Sequence, residues 1–263
     1  MMEIRMGKYA TKKSAVHIKV MGVRFTFCDI GTAVRSVLKR CGSLKGRYIC
    51  FTNVHTTVEA QEDPEYRDIL NGAAFTFPDG MPVAVAARIK SLRTGKAYRP
   101  KRVAGPDFMR LAFENSRDGK IKHFFYGSTE ETLTALTGKL EKEYPGINIC
   151  GKYSPPFREL TAEEDSDIIK MINTSGADLV WVGLGAPKQE KWMSEHAGKI
   201  NALMLGVGAG FDFHAGTVKR APLWMQKTGF EWCYRLMQDP KRLFSRYLKT
   251  NSKFIMLMLQ GRY

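Results

Sequence analysis

Two glycines interrupt an apolar run within residues 178–192, and the chain resumes there with a helical pattern. Gly183 and Gly185 let the backbone bend and approach a ligand, while Pro187 suits the first position of a helix because its nitrogen needs no partner. The free amides of that first turn favour an anion such as phosphate, and Gln189 and Glu190 stand within reach of it. An ordinary strand-to-helix corner has the same pattern, so the glycines alone leave both interpretations open.

Polar turn residues follow two other apolar stretches. Asn53 comes after residues 47–52, and Asp79 comes after residues 73–77. Because ligands bind at the carboxyl ends of the strands in a doubly wound sheet, chemistry is expected at both residues. An Asp-Gly pair is also a common turn, in which the carboxylate accepts from nearby backbone.

Strand and helix patterns alternate through residue 218 and predict an α/β fold. We expect two consecutive Rossmann-like βαβ blocks, about 15–118 and 119–218, with a mainly parallel sheet and a cleft between them. Asp107 is expected to cap a helix over residues 108–116. The predicted strands cover residues 17–27, 47–52, 73–77, 121–126, 147–153, 178–183 and 202–206. The last of these ends in a second glycine-rich turn, residues 206–212, which allows close approach to a ligand.

The positive charge is concentrated at the two ends of the sequence. Of the net charge of +15, residues 217–263 carry +8 and residues 1–24 carry +5. Residues 219–263 also interleave aromatic and basic residues at helical spacing, which predicts a basic amphipathic helical appendage. Such an appendage can attach reversibly to an anionic membrane surface, or it can pack on the body as a helix pair with a solvated basic face.

Composition excludes several other classes of protein. With 263 residues and 44% hydrophobic content, the chain can bury a large core. Five scattered cysteines and five scattered histidines match neither a disulfide framework nor a metal site, so we predict a reducing cytoplasmic environment and no structural metal. The first ten residues do not resemble a signal peptide, and no run approaches the ~20 apolar residues of a membrane span.

Several short motifs in one order carry a family resemblance. They are Thr-Asn-Val-His-Thr at 52–56, Pro-Asp-Gly at 78–80, Arg-Val-Ala-Gly-Pro-Asp at 102–107, the glycine turn at 183–192, Gly-Val-Gly-Ala-Gly-Phe-Asp at 206–212 and Arg-Ala-Pro at 220–222. Over about residues 15–250 the chain resembles the WecG/TagA/CpsF glycosyltransferase family. The resemblance implies a cytoplasmic, peripherally membrane-associated enzyme that takes a sugar from a UDP-sugar, typically UDP-N-acetylmannosamine or its uronic acid. The implied acceptor is a polyprenyl-diphosphate-linked N-acetylglucosamine, and the product is a lipid-linked disaccharide for wall, capsule or other surface polysaccharide.

The resemblance also implies residue roles. Asp79 matches the family's general base, Arg102 its assisting arginine, and Gln189 the glutamine of its Gly-x-Pro-x-Gln-Glu motif. Turn formation for Asp79, a surface ion pair for Arg102 and helix capping for Gln189 are the structural alternatives. The remaining residues that we expect near the substrates are Thr52, Asn53, Gly105, Asp107, Gly127, Gly185, Pro187, Gly208, Asp212 and Arg220.

One position departs from the family pattern. Members often carry a threonine two residues before the asparagine, where this chain has Phe51, and Thr52 is adjacent to Asn53. Whether Thr52 takes over that role is left open, as is the identity of the donor sugar.

The implied chemistry is an inverting transfer, which needs a base for the acceptor hydroxyl and positive charge for the departing UDP. Asp79 can supply the base. We expect backbone amides of residues 183–188 and 206–210, together with Arg102 and basic residues of the appendage, to replace a metal ion, so no cofactor is predicted.

Two rival functions fit less well. A nicotinamide-dependent oxidoreductase would carry Gly-x-Gly-x-x-Gly after the first strand, and this motif is absent there. A nucleic-acid-binding module would explain the basic ends, but no known binding motif accompanies them, so we expect no nucleic-acid partner. The sequence leaves homo-oligomer formation open.

Overall fold

The fold is described by a computed structural model that covers residues 16–95 and 98–261, without the side chain of Arg242. Residues 1–15, which hold much of the predicted N-terminal basic cluster, lie outside the described residues. The strands are Val16–Val20 (β1), Val23–Phe27 (β2), Tyr48–Thr52 (β3), Phe75–Pro78 (β4), Lys122–Gly127 (β5), Asn148–Tyr153 (β6), Leu179–Gly183 (β7) and Leu203–Gly206 (β8). The helices are Ile30–Arg40 (α1), Val54–Glu62 (α2), Pro64–Gly72 (α3), Met81–Arg93 (α4), Gly105–Glu114 (α5), Glu130–Glu143 (α6), Ala162–Ser175 (α7), Lys188–Glu195 (α8), Gly210–Ala215 (α9), Leu223–Thr228 (α10), Glu231–Gln238 (α11) and Pro240–Leu259 (α12).

The described chain contains one six-stranded sheet in the order β4-β3-β8-β7-β5-β6, and every neighbouring pair in it is parallel. This confirms the predicted α/β class with a Rossmann-like parallel sheet. Strands β3 and β4 come from the first predicted block, residues 15–118, and β5 to β8 come from the second, residues 119–218. The pairing of β3 with β8 joins the two blocks, so the carboxyl ends of their strands form one continuous edge. The domain boundaries at residues 118 and 218 stay a prediction.

The predicted strand over residues 17–27 is wrong. Residues Val16–Val20 and Val23–Phe27 form an antiparallel hairpin outside the main sheet. Met21 and Gly22 both adopt positive φ, 48° and 81°, as the central residues of a tight hairpin turn require. A methionine rarely takes that conformation, so the sequence gives little sign of the turn.

The core lies on both faces of the sheet. Along β7, Val180 and Val182 pack into one hydrophobic cluster, and Leu179 and Trp181 pack into the other. Both faces of a parallel strand are therefore covered by helices, which explains why β7 is apolar at consecutive positions.

Gly127 and Gly183 let β5 and β7 approach closely at their carboxyl ends. Gly127 has φ +115°, and a Cβ built on it would lie 2.8 Å from the carbonyl carbon of Gly183. A Cβ on Gly183 would lie 2.7 Å from the ring of Phe211. Gly127 was predicted near the substrates, but it does not line the cavities described below, and its evident role is packing.

Replacing Gly127 by alanine should destabilise the fold. The change adds both a strained backbone conformation, of about 1–3 kcal/mol, and a contact with backbone that cannot move aside. Urea denaturation should show this loss. The matched variant is Gly138→Ala in α6, where a Cβ meets nothing within 4 Å, and which should stabilise by about 0.5–1 kcal/mol. Equal effects of the two substitutions would contradict the assignment.

The C-terminal segment folds back on the body as α10, α11 and α12. The inner face of α12 buries Leu243, Phe254 and Leu257, and Phe254 and Leu257 join the core cluster that includes Val58 of α2. Lys253 of α12 also pairs with Glu62 at the end of α2. In the described chain no helix combines the length and apolarity needed to cross a membrane.

Candidate active site

Two adjoining cavities open at the carboxyl edge of the sheet in the described part of the chain. The apolar cavity, about 360 Å³, lies under α11 and α12 and is lined by Met81, Trp232 and Phe254 among others. The glycine cavity, about 380 Å³, lies against the turns that follow β7 and β8. Asp79 and His55 line both cavities. The carboxylate predicted as a base is therefore at the junction of a polar compartment and an apolar one.

The turn after β7 supplies amide donors to the glycine cavity. Gly185 adopts φ +76°, and within the described residues no backbone carbonyl accepts from the amides of Gly185 or Ala186. Pro187 is the N-cap of α8 rather than its first residue, and it does not line the cavity. These two amides are therefore available to an anion.

The turn after β8 was expected to offer its backbone amides to the departing UDP, but most of these amides have partners within the protein. The amides of Val207 and Gly208 donate to the carbonyl of Val182, and the amide of Gly210 donates to the carbonyl of Val207. These three N–H groups are therefore already used in hydrogen bonds within the protein and are not available to a ligand. Gly208, with φ +51°, contributes close approach to the cavity rather than hydrogen bonds.

The amide of Gln189 is held in one orientation. Its Nε2 donates to Oε1 of Glu190 at 2.8 Å, and the hydroxyl of Tyr66 donates to the other oxygen of Glu190 at 3.3 Å. Gln189 is buried, yet its Oε1 has no partner and lies 3.4 Å from a Cβ built on Gly208. Because an unpaired buried acceptor is costly, this oxygen is suited to a donor group of a ligand in the glycine cavity.

Asp79 is half-buried and held by the backbone. Its amide donates to the carbonyl of Thr52 at 3.0 Å, and its Oδ1 accepts from the amide of Gly105 at 3.1 Å. Burial raises the pKa of Asp79 to about 6, against the opposing effect of Arg102. A carboxylate with that pKa is ionised at neutral pH and basic enough to accept a proton.

Four alternating charges form an ion-pair square beside Asp79. Arg102 bonds to Asp107 at 3.2 Å and to Glu231 at 3.0 Å. Arg220 bonds to the same two carboxylates, at 2.6 Å to Asp107 and 3.0 Å to Glu231. Asp107 lies in the first turn of α5 and does not cap it, because the N-cap is Ala104. The square ties the C-terminal segment to the body, and hydrogen bonding to Arg220 is the main effect that holds the pKa of Asp107 below its ordinary value despite burial.

Substituting Glu231→Gln should loosen this square. The variant leaves both guanidinium groups with one charged partner each, so we expect a loss of about 1–3 kcal/mol in the free energy of unfolding. Urea denaturation of Glu114→Gln provides the control, since Glu114 makes an exposed pair with Arg110 and its loss should stay within about 0.5 kcal/mol. If the two variants were equally stable, the square would contribute nothing to docking of the segment.

Of the other residues that were predicted near the substrates, some line the cavities and some do not. Asn53 lines both cavities, and its Oδ1 caps α2 by accepting from the amide of Thr56. Asp212 lines the glycine cavity. Thr52 is buried and lines neither cavity, whereas Phe51 lines the glycine cavity.

Sequence reasoning missed several side chains of the site. His55 faces both cavities, and burial, helped by Arg246 and Lys249, lowers its pKa to about 4, which leaves it neutral. Arg235 and Arg246 of the C-terminal helices enter the glycine cavity, and Glu231 completes the square. The basic residues were visible only as members of a charged tail, because no motif marks which of them face inward.

The Asp-x-Asp sequence of this chain does not form a metal site beside the cavities. Residues 165–167 read Asp-Ser-Asp, but they lie in α7, where Asp165 pairs with His196 at 2.9 Å. Within residues 16–95 and 98–261, no group of three or more His, Cys, Asp or Glu side chains is arranged to hold a metal ion.

The chain is similar in sequence to known proteins over most of its length. The profile described as the glycosyl transferase WecG/TagA/CpsF family matches residues 18–263. The chain belongs to this family. It is therefore a glycosyltransferase. An N-acetylglucosaminyldiphosphoundecaprenol N-acetyl-beta-D-mannosaminyltransferase of Bacillus subtilis (strain 168) is 32% identical over 198 residues, which cover 75% of this chain and 73% of that protein. A protein of the same name from Bacillus spizizenii is 31% identical over 199 residues, covering 75% and 74% of the two chains.

Proposed function

We propose that this glycosyltransferase moves N-acetylmannosamine, or a related hexose or uronic acid, from a UDP-sugar to a polyprenyl-diphosphate-linked N-acetylglucosamine. One observation carries the proposal: a half-buried carboxylate, Asp79, lies where a polar cavity meets an apolar one. The names of the two Bacillus relatives support the sugar and the lipid-linked acceptor. The product would serve a wall polymer or another surface polysaccharide.

The glycine cavity is assigned to the nucleotide sugar. The free amides of Gly185 and Ala186 and the guanidinium groups of Arg235 and Arg246 provide donors and positive charge for a diphosphate. Gln189 offers its unpaired Oε1 to an N–H or hydroxyl of the donor. These groups act in a partly enclosed space, where fixed dipoles stabilise developing charge better than in water.

The apolar cavity is assigned to the acceptor. Asp79 takes the proton of the acceptor hydroxyl, and that oxygen forms a bond to the anomeric carbon as the bond from this carbon to UDP breaks. Attack from the side opposite UDP inverts the configuration. The departing diphosphate takes the electron pair and is stabilised by Arg235, Arg246 and the amides of the β7 turn, so the proposal needs neither a metal ion nor a cofactor.

Arg102 has a different role in this proposal from Arg235. Its charge is compensated by Asp107 and Glu231, so it is not free to bind diphosphate by itself. It is the largest influence that lowers the pKa of Asp79, and it lines the apolar cavity next to that carboxylate. We propose that Arg102 keeps Asp79 ionised and in place.

The function is tested by transfer from UDP-N-acetylmannosamine to a lipid-linked N-acetylglucosamine diphosphate, with Asp79→Asn beside the parent protein. Turnover should fall by about 10²–10⁴ because asparagine cannot accept the proton. In the parent protein, activity should fall below about pH 6 as Asp79 becomes protonated. Failure of the parent protein to bind UDP in calorimetry, together with salt-sensitive retention on a polyanion, would favour a nucleic-acid-binding protein instead.

Measuring the stability of the Asp79→Asn variant distinguishes a catalytic role of Asp79 from a purely structural role in the turn. Since its folded pKa of about 6 exceeds the ordinary 3.8, the carboxyl favours the folded state at low pH, and this contribution is lost as pH rises through 6. Asp79→Asn should therefore unfold no more easily than the parent protein at pH 7.5. Asp118→Asn, at an exposed carboxylate, is the matched control for activity. A well-folded Asp79→Asn protein with full turnover would remove Asp79 as the base.

We also propose that the enzyme is cytoplasmic and binds the inner face of the plasma membrane through its C-terminal helices. Among the described residues, ten of the fourteen exposed large hydrophobic side chains follow residue 219. On α12, Phe244, Leu248, Ile255 and Leu259 share one outward face and are at least 58% exposed. Lys241 is exposed one helical turn before Phe244, and its positive charge suits an anionic leaflet.

Vesicle binding tests the membrane proposal. The double variant Phe244→Asp, Leu248→Asp should bind vesicles containing anionic lipid at least about tenfold more weakly, because each side chain contributes ~1.5–3 kcal/mol on burial. Neither residue lines the cavities, so UDP binding should be unchanged. The matched control is Phe157→Asp, Met171→Asp, which makes the same charge change at exposed apolar residues of the body. Equal losses in both double variants would refute this attachment surface.

A further inference from the structure

A third cavity, which we call the α4/α12 groove, lies between the start of α4 and the end of α12. It has a volume of about 360 Å³, and its walls include Val85, Met258 and Leu259, none of which lines the apolar cavity. Val85 is 46% exposed and Leu259 is 84% exposed, so the groove is open to the surface. Ordinary folding leaves few such apolar grooves uncovered on a soluble surface.

The lining of the groove is uncharged. Its single polar side chain belongs to Thr228, whose hydroxyl already donates to the carbonyl of Trp224 at 2.8 Å. No lining side chain therefore offers an unsatisfied polar atom that would select a peptide or a sugar. A hydrocarbon chain can fill this space without leaving any polar group of the protein unpaired.

The groove is continuous with the apolar cavity. Met81, Pro82, Gly229, Phe254 and Ile255 line both spaces. A Cβ built on Gly229 would lie 3.0 Å from the Cβ of Met81, so even a methyl group would crowd this junction. A ligand with a polar head beside Asp79 can therefore extend an apolar tail into the groove.

The outer end of the groove faces the proposed membrane surface. Ile255 and Leu259 belong both to the groove wall and to the outward apolar face of α12. A chain that leaves the groove at this point would enter the lipid without crossing water. The volume of the groove is in the usual range for ligand pockets, so the groove accommodates only the first part of a long lipid chain.

We propose that the α4/α12 groove binds the polyisoprenoid units next to the diphosphate of the acceptor and so selects lipid-linked over water-soluble acceptors. The proposal rests on the acceptor chemistry proposed above, and it adds a binding site for the lipid chain that is separate from the site of the sugar. Binding of the chain places the acceptor sugar in the apolar cavity, because the two spaces are joined at Met81 and Gly229.

The test compares two acceptors in detergent micelles, which removes the contribution of vesicle binding. Both carry N-acetylglucosamine on a diphosphate. One has a long polyisoprenoid chain, and the other, the short-chain acceptor, has only a methyl group, which is too short to enter the groove. Val85→Asp and Met258→Asp each place a carboxylate in the groove but outside the apolar cavity. Leu92→Asp on α4 and Met256→Asp on α12 are matched controls, at 57% and 48% exposure and outside the groove.

We expect the groove variants to raise KM for the long-chain acceptor by about tenfold or more, with KM for the short-chain acceptor and UDP affinity unchanged. Both control variants should match the parent protein with either acceptor. Equal shifts of KM for both acceptors, or no shift, would overturn the groove assignment while leaving the proposed function intact. Absence of transfer by the parent protein to either acceptor would instead refute the proposed function.

Discussion

Four charges from distant parts of the chain compensate one another at the edge of the site. Arg102 and Asp107 come from the body, whereas Arg220 and Glu231 come from the C-terminal segment. Because removal of one member of a partly buried ion pair leaves its partner poorly compensated, the square favours the docked position of the segment. The walls that Trp232, Arg235 and Tyr247 contribute to the cavities depend on that position. The candidate active site is therefore completed by residues far from its central motifs.

The same square also sets the electrostatic surroundings of Asp79. Arg102 and Arg220 favour its ionised form, Glu231 opposes it, and burial has the largest effect. The outcome is a carboxylate whose pKa is raised to about 6 and not higher. An uncompensated arginine beside Asp79 would lower its pKa and make it a weaker base, while loss of the arginines would raise its pKa further.

The two cavities differ in the groups that line them. Backbone turns dominate the glycine cavity, because strand ends and helix starts bring amides and glycines to one place. Side chains of helices dominate the apolar cavity and the α4/α12 groove. This division suits the proposed reaction, in which a charged nucleotide sugar and a lipid-bearing acceptor meet at one carboxylate.

The sequence by itself determined the parallel α/β class, most of the sheet strands and the placement of Asp79 and Asn53 at strand ends, because periodic burial and polar turn residues are local properties. It also determined the family, since several motifs in one order are specific even when each alone is weak. The tertiary structure decided the rest: the hairpin at Met21, the use of the Val207 and Gly208 amides inside the fold, and the inward direction of Glu231, Arg235 and Arg246. Those features depend on contacts between residues far apart in the chain, and local patterning carries no information about which of several similar charged residues will face a distant carboxylate.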